Sequence, residues 1–369
     1  MTPHEHHYQL RRLIDNSPKE INGIPLTLKP SLYDPTDLRN HLLFATPDTS
    51  ILPRETFNRE KLPFRHPKPD QKNLGICYGM SSCTGYLAKN AQDQGILPPE
   101  GFSSRFFCSV IKNKDGNPHE MGSDLRTTLN VAQTVGTVPD SLYPTAQMTQ
   151  DHDLAMPPQN LIDQAAKYRT SGSSLVLSPS DPDRSILIPH VMAAIAAGNI
   201  LEIGVLVCQN FMDVIGPDYV IPLPQGKILG GHALKLIDYR TMPDDTHQFL
   251  TWNQWGGAWA NDDEAWFPES WLTNNTDITG NGSKCYYMSE IWQALDKVPP
   301  KLPTKTIALK KDNPIAIVNG KDVQIDPADP GVVPTIIKNR LFLPLRFVAE
   351  NLGVQVDWEQ GEEEAVIEI

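Results

Sequence analysis

Little in this 369-residue chain speaks for covalent or metal cross-linking. Its five cysteines (Cys77, Cys83, Cys108, Cys208, Cys285) are scattered and form no CxxC pair, which excludes a disulfide framework and argues against a zinc or redox-dithiol site. The odd number leaves at least one thiol free. Runs of Lys and Arg are also missing, and 32 basic against 44 acidic residues give a formal charge of -12, so nucleic acid and anionic membrane are poor partners. The longest apolar stretch, residues 185–207, is broken by Pro189, His190, Gly198, Asn199 and Glu202; it reads as a buried helix followed by a strand, with no membrane insertion. The start, MTPHEHHYQLRRLIDN, lacks an apolar segment and does not read as a signal peptide; its His4, His6 and His7 read as a solvated tail rather than a metal site. What the chain does have is proline, 33 residues or about twice the usual share, so where these fall matters.

They fall in two places. Residues 1–55 read as an extended N-terminal arm, because each X-Pro bond pushes the preceding residue out of helical conformation. Residues 297–305 (KVPPKLPTK) have the composition of a stiff linker. Between them, a helix is expected to begin at Cys77 and run to Asn90, with others over Asp124–Thr134 and Ile188–Ala197. Strands are expected over 200–207, 232–240, 248–255, 264–268 and 284–290. Helices first and antiparallel strands later predict an α+β body over residues 56–296. Residues 306–369 form a separate small β-rich unit with a hairpin at Asn319-Gly320 and a helix ending near Gly353.

Four residues could carry chemistry together. A thiol at a helix N-terminus, as at Cys77, meets the positive end of the helix dipole, which favours thiolate; a buried structural cysteine is the ordinary alternative. Gln71, six residues upstream, lets a side-chain amide and the Cys77 N–H converge on one carbonyl oxygen. His232 follows Gly230-Gly231, which admit close backbone approach. Asn253, flanked by Trp252 and Trp255, can fix the tautomer of an imidazole while an indole shields that bond from water.

Gln, Cys, His and Asn in this order, with 155 residues from Cys to His and 21 from His to Asn, resemble the papain-like (C1) cysteine peptidases, in particular their bacterial members. QKNLGICYGMSSC, GGHALKLIDY and TWNQWGGAWANDDEAWFP are similar to that family's nucleophile, histidine and asparagine blocks, over about residues 55–295. The resemblance implies a papain-like fold and hydrolysis of peptide or protein substrates: Cys77 as nucleophile, His232 as general acid and base, Asn253 as its orienter, Gln71 in the oxyanion hole, and no metal or organic cofactor. HEMGSDLRTTLNVAQTVGTVP resembles the segment that pairs with an extended substrate, implying substrate-binding roles for Gly122 and Ser123, with Ala233 and Trp255 lining the other side. Tyr78 and Gln254 depart from the family's usual Trp and Ser, and Leu74 stands where a disulfide cysteine is common, so the other cysteines read as core thiols. The arm is either an inhibitory propeptide or a permanent wrap of the surface. A transpeptidase, a cell-wall peptide hydrolase and a catalytically silent scaffold are the rival readings; all four positions being filled argues against the last.

The tail, NPIAIVNGKDVQIDPADPGVVPTIIKNRLFLPLRFVAENLGVQVDWEQGEEEAVIEI, resembles the copper amine oxidase N-terminal-like (stalk) domain of Gram-positive surface proteins. That implies an extracellular or envelope-associated location, with cell-envelope contact through the tail. It contains no His or Cys and so offers no copper site.

Overall fold

A computed structural model describes residues 14–15, 17, 19–31, 49–62, 68–177, 184, 187–276, 285–295, 307–318, 321–337, 340–352, 355–359 and 364–368. The expected linker at 297–305, the Asn319-Gly320 turn, Gly353 and the N-terminal histidines lie outside the described residues. The chain divides into two compact units, Met1–Lys297 and Val298–Ile369.

The first unit opens with a two-strand hairpin, β1 (Glu20–Ile21) and β2 (Ile24–Pro25). Asn22 and Gly23 both have positive φ (49° and 77°), as a type I′ turn requires. A helical half follows: α1 (Cys77–Thr84), α2 (Tyr86–Asp93), α3 (Ser104–Lys114) and α4 (Leu125–Thr134). Ser103 caps α3 by accepting from the Phe106 amide, and Asp124 caps α4 by accepting from the Thr127 amide, each satisfying an otherwise orphaned N–H. The sheet half holds β3 (Gly172–Leu177), helix α5 (Leu187–Ala196), β4 (Leu201–Cys208), β5 (Ile228–Thr241), β6 (His247–Trp252), β7 (Glu264–Pro268) and β8 (Met288–Leu295). These strands form one antiparallel sheet in the order β3-β8-β4-β5-β6-β7. Helices ahead of an antiparallel sheet are the architecture expected from the sequence.

Local differences have local causes. The expected helix from Cys77 to Asn90 is broken at Gly85, where a Cβ would stand 2.7 Å from the Ser81 carbonyl and 2.8 Å from Cδ of Lys235. Here the chain turns to let a lysine stem pass. The strand expected over 248–255 stops at Trp252 because the following residues fold around the Asp263 carboxylate, which accepts from the amides of Trp255 and Gly257 at 2.8 Å. Helix α3 and strand β3 carried no sequence signal of their own strong enough to be expected.

Two apolar clusters hold the unit. One packs Cys77, Tyr78, Phe106, Phe107, Leu125 and Leu129 with Trp252 and Trp292 of the sheet. The other packs Val191 and Ile195 of α5 with Phe211, Trp255, Trp259, Phe267 and Trp271; Phe211 stacks on Trp259 at 5.2 Å between centroids. Burying such aromatic rings is the largest single contribution to a core of this kind.

The second unit contains a three-stranded sheet, β9 (Ile307–Ala308), β10 (Ile315–Val318) and β11 (Lys321–Gln324). After it come the hairpin β12 (Thr335–Ile337) and β13 (Arg340–Phe342), helix α6 (Leu345–Leu352), and the pair β14 (Gln355–Glu359) and β15 (Glu364–Glu368). A small cluster of Ala316, Ile325 and Phe347 forms its core. Among the described residues no helix is long and apolar enough to cross a membrane.

Candidate active site

Cys77 is the first residue of α1 and is fully buried. Gly75 ahead of it must be glycine: its Cβ would fall 2.6 Å from Thr27 Oγ1 and 2.7 Å from the Asp151 carboxylate, which accepts from the Gly75 amide at 2.6 Å. The Cys77 thiol faces the backbone amides of Ala233 and Thr27, and its own helix adds the Tyr78 amide. Ala233 directly follows His232 on β5, so the thiol faces the strand that carries His232.

His232 Nε2 lies 2.9 Å from Asn253 Oδ1. That oxygen also accepts from the Gln254 backbone amide at 2.9 Å. A main-chain N–H can only donate, so it fixes the Asn253 carboxamide with oxygen toward the ring, and the neutral imidazole must carry its proton on Nε2. Among the described residues Nδ1 has no hydrogen-bond partner. Trp255 covers the pair, its ring 5.0 Å from the imidazole and inclined by 29°. Gln71 is anchored by its amide to the Gln254 carbonyl at 3.0 Å, and its side-chain nitrogen donates to the carbonyls of Leu74 at 3.0 Å and Pro25 at 3.3 Å.

Pro25 belongs to the arm, whose described part lies against the candidate residues. After the β1–β2 hairpin, residues 26–31 run through the cleft between the two halves. Thr27 bridges Gly231 in parallel register, the Leu28 amide donates to the Gly231 carbonyl at 3.0 Å, and the Lys29 amide donates to the Ser123 carbonyl at 2.9 Å. Thr27 Oγ1 donates to the Gly75 carbonyl at 2.8 Å. Cβ atoms at Gly122 or Gly231 would overlap this backbone, and one at Gly230 would sit 2.6 Å from the Leu26 carbonyl. The glycines that suggested close approach to His232 thus admit a strand, and here the strand is the chain's own. Gly122 (φ 73°) and Ser123 form one wall against it and Ala233 lies by the thiol, whereas Trp255 is 4% exposed and faces His232 rather than the cleft.

The end of the arm and the residues just after it behave differently. Thr56, Asn58 and Arg59 all donate to the Asp238 carboxylate, Tyr239 Oη donates to the Pro53 carbonyl at 2.6 Å, and the Thr241 amide donates to the Arg54 carbonyl. Residues 53–59 are bound to β5 at the end away from His232.

Closure sets the charge state. Burial pushes the Cys77 thiol up to about 11, partly opposed by the Ala233, Thr27 and Tyr78 amides. Burial holds the His232 imidazole down to about 4; the Asn253 contact opposes this and the nearby Lys235 ammonium adds to it. In this closed state both groups are neutral at pH 7.

Two charged residues beside the site were not singled out in the sequence. Glu202 of β4 and Lys235 of β5 are cross-strand partners, both fully buried, with the Lys235 ammonium 4.6 Å from the centre of the Trp252 ring. Burial raises the Glu202 carboxyl to about 8 and lowers Lys235 to about 8, each opposed by the other's charge. The available signal was a charge among apolar neighbours in each strand, Glu202 in ILEIGVLV and Lys235 in HALKLIDY.

Among known proteins, residues 291–367 match the model of the copper amine oxidase N-terminal domain family. The match begins inside β8, and the matched residues contain no His or Cys that would suit copper. "Cathepsin B-like CP2" of Giardia intestinalis is 24% identical over 251 residues, covering 66% of this chain and 80% of that protein. The crystal structure of xylellain, a cysteine protease from Xylella fastidiosa, superposes with a TM-score of 0.55 at 20% identity, covering 76% of this chain and 97% of that one. The fold is papain-like.

Proposed function

We propose that this chain is a papain-like cysteine peptidase, made in a closed form in which residues 24–31 block its own cleft. The observation that carries the reading is the Asn253–His232 contact beside a thiol at a helix head: with Nε2 held, Nδ1 is the nitrogen free to exchange a proton with Cys77. Once the strap leaves, water and substrate reach both groups and the desolvation that keeps them neutral falls away. Cys77 thiolate then attacks the peptide carbonyl, and Gln71 with the Cys77 amide holds the developing oxyanion. His232 protonates the departing amine and afterwards activates water against the thioester, while Asn253 keeps the ring in place.

The closed state supports this assignment of parts. The Pro25 carbonyl accepts from the Gln71 side-chain amide, where a substrate carbonyl would, and the arm makes main-chain bonds to Gly231 and Ser123 of the kind an extended peptide would make. The deciding experiment compares Cys77→Ala with the parent chain on a peptide library, both carrying Leu26→Asp and Leu28→Asp to release the strap. Cys77→Ala should cleave nothing while melting at the parent's temperature; substantial residual cleavage by it would overturn the reading. Product masses separate hydrolysis from transfer to an amine.

A further inference from the structure

Gln254, where the family commonly has serine, is the junction of a buried chain of donors that ends at Gln71. Its side-chain oxygen lies 3.4 Å from Lys235 Nζ. Its side-chain nitrogen donates to the Ala233 carbonyl at 2.8 Å and to Gln71 Oε1 at 3.4 Å. All three side chains are fully buried, so no bulk water competes for these bonds.

The polarity of this chain is not arbitrary. A lysine ammonium has only donors and a main-chain carbonyl only acceptors. Turning the Gln254 carboxamide over would set its NH2 against the ammonium and its oxygen against the Ala233 carbonyl, two repulsive contacts in place of two favourable ones. Gln254 therefore presents N–H to Gln71, and Gln71 must answer with its oxygen. That leaves the Gln71 NH2 directed at Leu74 and at the cleft, where it donates to Pro25 in the closed state.

Resting on the peptidase reading above, we propose that Gln254, held by Lys235 and the Ala233 carbonyl, is a positioning residue that fixes which face of the Gln71 amide meets the oxyanion. Gln254 touches no reacting atom. Its influence passes through Gln71, and so does its test.

Gln254→Glu keeps the shape and gives Lys235 a full ion-pair partner, but puts an acceptor against Gln71 Oε1 and rewards the flipped amide. The full chain is assayed for peptide hydrolysis, with rates counted per Cys77 alkylatable by iodoacetamide, a reaction needing no oxyanion hole. The expected result is a fall in kcat of about tenfold to a hundredfold, with KM and the alkylation rate within about twofold of the parent, as for loss of an interaction made in the transition state. On a Gln71→Ala background the same substitution should change kcat little, since the two act as one unit. An undiminished kcat, or an equal fall on the Gln71→Ala background, overturns the proposal. Should Gln254→Glu lose its melting transition, Gln254→Met and Lys235→Met cut the same chain and are read through the same cycle. A parent chain that alkylates at Cys77 but cleaves no peptide overturns the peptidase reading and this one with it; a parent that cleaves, matched by Gln254→Glu, overturns this one alone.

Discussion

Asn253 Oδ1 serves two donors, one on the catalytic candidate His232 and one on the main chain of Gln254. Removing it in Asn253→Ala frees the imidazole to turn and to exchange tautomers, while a buried main-chain N–H loses its partner, at a cost of about 1–3 kcal/mol. kcat should fall about tenfold to a hundredfold, and the alkaline limb of the pH–rate profile, where the imidazolium is lost, should move down, because the Asn253 contact raises the His232 pKa. An unchanged limb would mean that Asn253 does not hold the ring. The sequence made these residues legible because each catalytic type stands in a telling local pattern, cysteine at a helix head and histidine after two glycines. Glu202, Lys235 and Gln254 were not legible in the same way. Thirty-three positions separate Glu202 from Lys235, and only the β4–β5 register places them opposite each other.

The strap is an element without periodicity, and this is why its course could not be read from the chain. Its hydrogen bonds go to Gly231, Ser123 and Gly75, residues remote in sequence, and its prolines announce extension but no destination. Leu26 and Leu28 bind it apolarly, being 0% and 2% exposed, and burial of side chains this size contributes about 1.5–3 kcal/mol each. Leu26→Asp with Leu28→Asp should therefore raise the activity of the intact chain without altering the cleft; no increase would sink the strap as an inhibitor. Acid should open it too. Burial in the closed chain holds His232 at about 4 against 6.5 for a free imidazole, so relative to a solvated ring its contribution to the closed state is present above pH 6.5 and lost as pH falls through about 4. Burial likewise holds Cys77 at about 11 against 9.0 for a free thiol, so relative to a solvated thiol its contribution is present below pH 9.0 and lost as pH rises through about 11. Closure is then favoured between about pH 6.5 and 9. Hydrogen-exchange protection at the Leu28 and Lys29 amides, corrected for intrinsic rates, should decline from pH 6.5 to 4; flat protection would contradict this.

At the scale of the whole molecule, every candidate site residue lies in the first unit, and β8 closes that unit's sheet by pairing with both β3 and β4. The family match at the C-terminus begins at residue 291, inside β8, so a cut placed by similarity alone would remove Ile291 and the fully buried Trp292 from the peptidase core. A chain ending at residue 297 should fold and cleave peptides once opened. One ending at residue 290 should not give a cooperative melting transition, because losing a large buried aromatic alone costs about 3–5 kcal/mol of the small net stability of a domain. Equal behaviour of the two would show that β8 is dispensable. The walls of the cleft carry one more consequence. Having no Cβ, Gly122, Gly230 and Gly231 let the strap's main chain come into contact with the cleft walls at three points. If substrates take the strap's path, as the proposed function has it, posture is selected first: a stretch of polypeptide pulled straight, in an unfolding protein or a loose terminus, fits before the identity of its residues is ever consulted.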